Sequence, residues 1–253
     1  MIEVKDIIKS FDGNTVLQDI SAVFHSGKTN MIIGQSGSGK TVLLKCIIGL
    51  YPVDSGRVEY DGRNFTAMTS GEVGMLRHEV GMLFQGSALF DSMTVMQNVI
   101  FPLSMLSNKT QKEQLERAKW CLNRVNIEEK AHSLMPSEIS GGMQKRVAIA
   151  RALALQPKYL FCDEPNSGLD PKTALVIDKL IHELTQEFDI TTIINSHDMN
   201  SVMEIGENII FINKGEKAWQ GTKEQIFTSQ NVELDAFVFA SELYKKVKEA
   251  HRN

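Results

Sequence analysis

TNMIIGQSGSGKTVLLKCIIG, residues 29–49, decides how the rest of the chain is read. Thr29 to Ile33 is a buried-strand pattern. Lys40 to Ile48 keeps Val42, Leu43, Ile47 and Ile48 near one helical face, and Gly49 is the stop. Between them, Gly34-Gln35-Ser36-Gly37-Ser38-Gly39-Lys40-Thr41 fits the pattern G-x-x-x-x-G-K-[ST] in the strand-turn-helix context that the pattern needs. Glycines let successive backbone N–H groups face one concavity, which suits a phosphate, and the helix adds its positive N-terminal end. Lys40 is placed for the β and γ oxygens of a nucleotide, and the Thr41 hydroxyl for Mg²⁺.

Outward from this cradle the pattern alternates. Lys158 to Cys162, Ile190 to Ile194 and Ile209 to Ile212 are short apolar strands. Asp170-Pro171 opens a helix by N-cap and proline, and Val176, Ile177, Leu180, Ile181 and Leu184 keep its spacing. Strands separated by helices imply parallel pairing and an α/β architecture. Residues 2–28 and 55–65 break the rhythm with short β segments and turns at Asp12-Gly13 and Asp61-Gly62, an antiparallel patch. Residues 87–156 are mainly helical. We therefore expect a single domain over 1–253: a nucleotide-binding core with its β subdomain at 1–86 and 157–227, an inserted helical subdomain at 87–156, and a C-terminal helical extension at 228–253 with a Lys-rich tail from Glu242 to Arg252.

With 253 residues, 42% hydrophobic and 23% charged, the composition is that of a globular chain. A net charge of −4 is a poor match for a protein that neutralises a nucleic-acid backbone, so no nucleic-acid partner is expected. The longest apolar run, Ala236 to Ala240, is far short of the roughly 20 residues of a membrane span. Glu3 and Asp6 stand where a secretory signal would be basic and then apolar, so cytosolic synthesis is expected. Cys46, Cys121 and Cys162 show no metal-ligand spacing and read as buried reduced thiols.

A second acidic element narrows the chemistry. The strand through Cys162 ends in Asp163 and Glu164. Asp163 is placed to hold Mg²⁺ through water, and Glu164 to polarise an attacking water as general base.

Between cradle and carboxylates stands Ser140-Gly141-Gly142-Met143-Gln144; after them come Ser167-Gly168-Leu169-Asp170 and His197. This ordered set closely resembles the ATP-binding-cassette (ABC) transporter ATPases over residues 2–227. The resemblance implies a P-loop NTPase core with an antiparallel β subdomain and an inserted helical subdomain. It implies ATP and Mg²⁺ as ligands and ATP hydrolysis as the activity. It makes Gln85 the Q-loop residue that contacts Mg²⁺ and senses a membrane partner. Ser140, Gly141 and Gly142 become the signature that meets, in trans, the γ-phosphate held by a second copy. Asp170 becomes the aspartate at the dimer seam, His197 the switch histidine on the γ-phosphate, and Phe11 the aromatic stacked on adenine. Ile139 and Met143 depart from the usual Leu-Ser-Gly-Gly-Gln, and Asn166 and Ser196 stand where Thr is common.

Leu83 to Val95, with Asn98-Val99 and Phe101-Pro102-Leu103, is similar to the ATPases of Mla/Mce-type phospholipid transport systems, and so is Pro136-Ser137-Glu138 leading into Ser140-Gly141-Gly142-Met143. That similarity implies a homodimer on integral-membrane permease subunits, peripheral on the cytoplasmic side of the inner membrane, with a small regulatory subunit and a lipid-binding Mce-type subunit as further partners. The alternatives are another ABC transporter, of amino-acid, metal or lipoprotein type, or a soluble ABC ATPase outside transport. Leu89, Phe90, Met93 and Met96 are the expected docking surface for the permease.

Overall fold

Asp12 and Gly13 take φ of 49° and 81°, the paired positive values of a type I′ turn, and fold β1 (Ile2–Phe11) onto β2 (Asn14–Phe24). The computed structural model describes residues 1–240, 244–246 and 248. Contacts divide the chain into two units, Met1–Met68 with Ile193–Asn253, and Thr69–Thr192.

The first unit continues with β3 (Thr29–Ile33), α1 (Lys40–Ile48), β4 (Ser55–Tyr60) and β5 (Arg63–Asn64). Asp61 and Gly62 repeat the I′ geometry at φ 47° and 76° between β4 and β5. One antiparallel sheet results, in order β2-β1-β4-β5, burying Ile2, Val4, Ile7, Ile20, Val58 and Tyr60.

The second unit holds α2 (Ser70–Arg77), β6 (Val80–Leu83), α3 (Val95–Leu106), α4 (Gln111–Arg124), α5 (Gly141–Leu153), β7 (Tyr159–Asp163) and α6 (Pro171–Glu187). The run 87–156 lies wholly inside it and carries α3, α4 and α5. Thr94 and Thr110 open α3 and α4 with reciprocal capping boxes. β6 and β7 pair in parallel from Val80↔Tyr159 to Leu83↔Cys162.

β8 (Thr191–Ser196) returns the chain to the first unit, followed by α7 (Met199–Ile205), β9 (Asn208–Asn213), β10 (Glu216–Gly221), α8 (Lys223–Thr228) and α9 (Val232–Val238). There the strands run in order β10-β9-β3-β8. β3 and β9 are parallel, from Asn30↔Asn208 to Ile33↔Phe211. Met31, Ile32 and Ile33 are fully buried, as their position ahead of the glycine loop suggested. The fold is α/β with an added antiparallel sheet and a helical subdomain, the expected class.

On α6 one expected position differs. Val176 is 52% exposed, and Asp178 turns inward instead, accepting a 2.7 Å bond from Asn166 Nδ2. The three cysteines are free and buried. Burial pushes the Cys46 and Cys121 thiols up to about 11, and Cys162 further still. Leu243 and Val247 of the Lys-rich tail lie outside the described residues; Tyr244 Oη donates to Asn200 Oδ1 at 3.0 Å, and Lys248 pairs with Asp235 at 2.5 Å.

Candidate functional site

In the first unit the loop 34–41 sits between β3 and α1 as the sequence predicts. Gly34, Gly37 and Gly39 take φ of 150°, 78° and 106°, where other residues are strained. α1 begins at Lys40 with no side-chain cap and no acidic residue in its first turn, whereas α2, α3 and α4 each carry a capping box. No capping side chain and no carboxylate therefore compete with an anion at this helix start. Ser38 Oγ is buried and, among the described residues, makes no hydrogen bond. Lys40, only 7% exposed, folds its ammonium over the loop and donates to the Gly34 and Gln35 carbonyls at 2.8 and 2.9 Å. Buried donors around one concavity fit a phosphate.

Thr41 Oγ1 accepts from Asn195 Nδ2 of β8 at 3.4 Å, a partner that sequence reasoning missed. The Thr41 hydroxyl and the Asp163 carboxylate are hard oxygen donors, chemically suited to Mg²⁺. His197 follows β8 directly and is exposed; Asp198 beside it caps α7 by accepting from Asn200 N at 2.9 Å. Phe11, 37% exposed at the end of β1, meets Tyr51 edge-on at 5.3 Å, and the Lys45 ammonium of α1 lies 5.3 Å from the Tyr51 ring. Tyr51 was also missed; nothing in its spacing marks it.

The second unit assembles the other residues. β7 delivers Asp163 at its end, and Glu164 follows at φ 50°, left-handed backbone that costs a non-glycine residue energy and is typical of functional turns. Gln85, just past β6, donates from Nε2 to Ser167 Oγ at 3.2 Å, so the Q-loop residue and the turn after Glu164 are joined. Ser140 caps α5, accepting from Met143 N at 3.3 Å. A Cβ on Gly142 would stand 2.7 Å from Thr173 Cγ2, so glycine lets this turn approach α6 closely. Asp170 caps that helix: Oδ1 accepts from the Lys172 and Thr173 amides at 3.1 and 3.0 Å, and Oδ2 from the Thr173 hydroxyl at 2.5 Å. These bonds, the hydroxyl's foremost, hold its carboxyl below the usual range. Gly142 and Asp170 thus both border Thr173 of α6.

Phe84, Ala88, Phe90, Phe101, Pro102 and Leu106, with Arg77 and Arg151, line a groove of about 440 Å³. Of the four residues expected to form a docking surface, Phe90 lines it; Leu89, Met93 and Met96 are half-buried and do not.

Residues 17–167 match the family described as ABC transporter. The chain belongs to that family. Its relatives include the methionine import ATP-binding protein MetN of Desulfitobacterium hafniense, 38% identical over 252 residues and covering 96% of this chain and 73% of the relative. MetN of Haemophilus influenzae is 38% identical over 238 residues (92% and 68%), and the sulfate/thiosulfate import ATP-binding protein CysA 2 of Shewanella oneidensis 34% over 264 residues (99% and 70%). Among solved structures, the ATP-binding cassette MJ0796, as a dimer in a post-hydrolysis state with ADP and phosphate, superposes with a TM-score of 0.80 at 31% identity over 88% of this chain and 98% of that one. The transporter component cbiO1 of Clostridium perfringens gives 0.83 at 28% identity over 100% and 98%. This ABC protein is an ATP-hydrolysing transporter subunit. Among its described residues no helix is long and apolar enough to cross a membrane.

Proposed function

We propose that the chain hydrolyses ATP as one half of a homodimer and drives a membrane permease, peripherally on the cytoplasmic side of the inner membrane. The observation that carries this is the uncapped, glycine-cradled start of α1 with Lys40 buried over it. Gly34 to Thr41 bind the phosphates, and Phe11 stacks on adenine. Thr41, Gln85 and Asp163 would hold Mg²⁺, which would supply neutralising charge for the phosphoryl oxygens. Glu164 takes the proton of the attacking water. His197 donates to the γ-phosphate. Ser140, Gly141 and Gly142 reach the partner copy's nucleotide, with Asp170 at the seam.

ATP closes the dimer because only the closed form completes both sites, and hydrolysis reopens it. The apolar groove at Phe84 and Phe90, edged with two arginines, suits a helix of the permease.

For cargo, the methionine and sulfate importers among the relatives favour import of a small solute such as an amino acid. Phospholipid transport, with a regulatory and a lipid-binding partner, is supported only by the resemblance of Leu83 to Leu103 and of Pro136 to Met143. Purification from membranes separates the two: a permease with bound methionine-class solute supports the first, and extracted phospholipid with a lipid-binding subunit supports the second. Glu164→Gln should cut ATP turnover by roughly 100-fold or more while retaining ATP binding and dimer closure. An unimpaired rate, or a variant that stays monomeric with ATP, refutes the mechanism.

A further inference from the structure

Residues 84–90, between the Q-loop glutamine and the groove, are held in an unusual way. Ser87 and Ala88 are consecutive left-handed residues at φ 62° and 49°, and neither is glycine. L-residues resist that conformation, and it persists only where the surroundings enforce it. Asn98 of α3 holds Phe90, accepting from its N–H at 2.8 Å and donating to its carbonyl at 3.1 Å, while the carbonyls of residues 85, 87 and 88 are held by a second helix, α5. Lys145 of α5, 4% exposed, donates from Nζ to the Gln85 carbonyl. Arg151, two turns further along the same helix, donates from Nη1 to the Ala88 carbonyl at 2.7 Å and from Nη2 to the Ser87 carbonyl at 2.8 Å. Three carbonyls of a strained segment, those of residues 85, 87 and 88, thus rest on two partly or wholly buried cations.

The placement of α5 gives this clamp consequence. Its first turn carries Ser140 and Gly142. The clamped segment carries Gln85 at one end, bonded to Ser167, and Phe90 in the groove at the other. Buried charge-assisted bonds to carbonyls are costly to break singly, because the cation is left without a partner.

We propose that Lys145 and Arg151 are positioning residues: they lock the 85–90 segment in its strained form and thereby tie the signature helix to Gln85 and to the permease groove. The clamp rests on the ATPase reading only for its kinetic consequence.

The test uses the full chain and two readouts. Lys145→Met should lower kcat for ATP hydrolysis about tenfold, the equivalent of one charge-assisted bond, with KM for ATP nearly unchanged. It should also speed chymotryptic cleavage after Phe84 and Phe90, both 41% exposed, because the segment opens more often. Ala88→Gly, which takes positive φ without strain, should restore most of both losses in the Lys145→Met background. A mere packing role for Lys145 would not be repaired at residue 88. If Lys145→Met does not fold, Arg151→Lys, which loses the paired grip on two carbonyls, should behave alike and be rescued alike. The clamp is overturned if neither variant changes cleavage, or if Ala88→Gly repairs nothing. A chain that hydrolyses no ATP yet shows the cleavage and its rescue would keep the clamp and sink the ATPase reading.

Discussion

Replacing Gly34 by alanine separates a loop that is merely flexible from one that is packed against its sheet. A Cβ there would lie 2.2 Å from the Ile212 carbonyl oxygen and 2.8 Å from Ser38 Oγ, at φ 150°. Carbon and carbonyl oxygen ordinarily approach to about 3.3 Å, so about 1 Å of movement is required. The oxygen cannot supply it cheaply, since Ile212 pairs with Lys217 of β10 and its neighbour Phe211 with Ile33 of β3. Strained backbone costs about 2 kcal/mol, and forced overpacking about 2 more. At about 2–4 °C per kcal/mol for a chain of this size, the melting midpoint should drop by roughly 8–16 °C. Gly37→Ala is the control. Its φ is 78° but nothing lies within 4 Å of the added carbon. Only the backbone term remains, about 1.5 kcal/mol, a drop of roughly 3–6 °C. Circular dichroism melts of the two variants decide the matter. Equal midpoints, or a smaller drop for Gly34→Ala, would show that β9 does not fix the loop.

Phe11→Ala should weaken ATP binding about threefold to tenfold by calorimetry in a Glu164→Gln background; equal affinity would remove the stacking role. Asp170→Asn should lower the melting midpoint at pH 7. The Asp170 carboxyl is depressed in the folded chain, so its contribution is present above the unfolded value of about 3.9 and fades as pH falls through the lower folded value; the gap between wild type and variant should close there and persist at neutral pH. The three buried thiols should resist a thiol reagent at pH 8 in the native chain and react together in denaturant. Fast native labelling of any one would contradict its burial.

Local chemistry made much of this molecule legible beforehand. Thr29–Ile33 and Lys40–Ile48 form as the sequence implies, because an apolar run, a glycine turn and a glycine stop each act within a few residues. The Asp12-Gly13 and Asp61-Gly62 turns are legible for the same reason, and Lys214-Gly215, at φ 47° and 84°, repeats their signature where none was read. Ser140 and Asp170 as helix caps, and Asp163 as the end of a strand, were legible because each of these positions is set by residues adjacent in the chain. Val176 was misplaced because helical spacing cannot tell an outward valine from an inward, hydrogen-bonded Asp178. Asn195, Tyr51 and Lys145 were missed for a different reason: their partners, Thr41, Phe11 and Gln85, lie 154, 40 and 60 positions away in the chain. No local pattern encodes such distances.

Lys40 has one more bearing on nucleotide binding. Its side chain is largely withdrawn from water when the chain folds, with two loop carbonyls among the ammonium's partners. An arriving triphosphate therefore meets a cation already largely dry, and has mainly to trade places with peptide oxygens rather than evict solvent. Such an exchange should be fast, and dissolved ions should blunt this attraction far less than they blunt that of lysines on the surface.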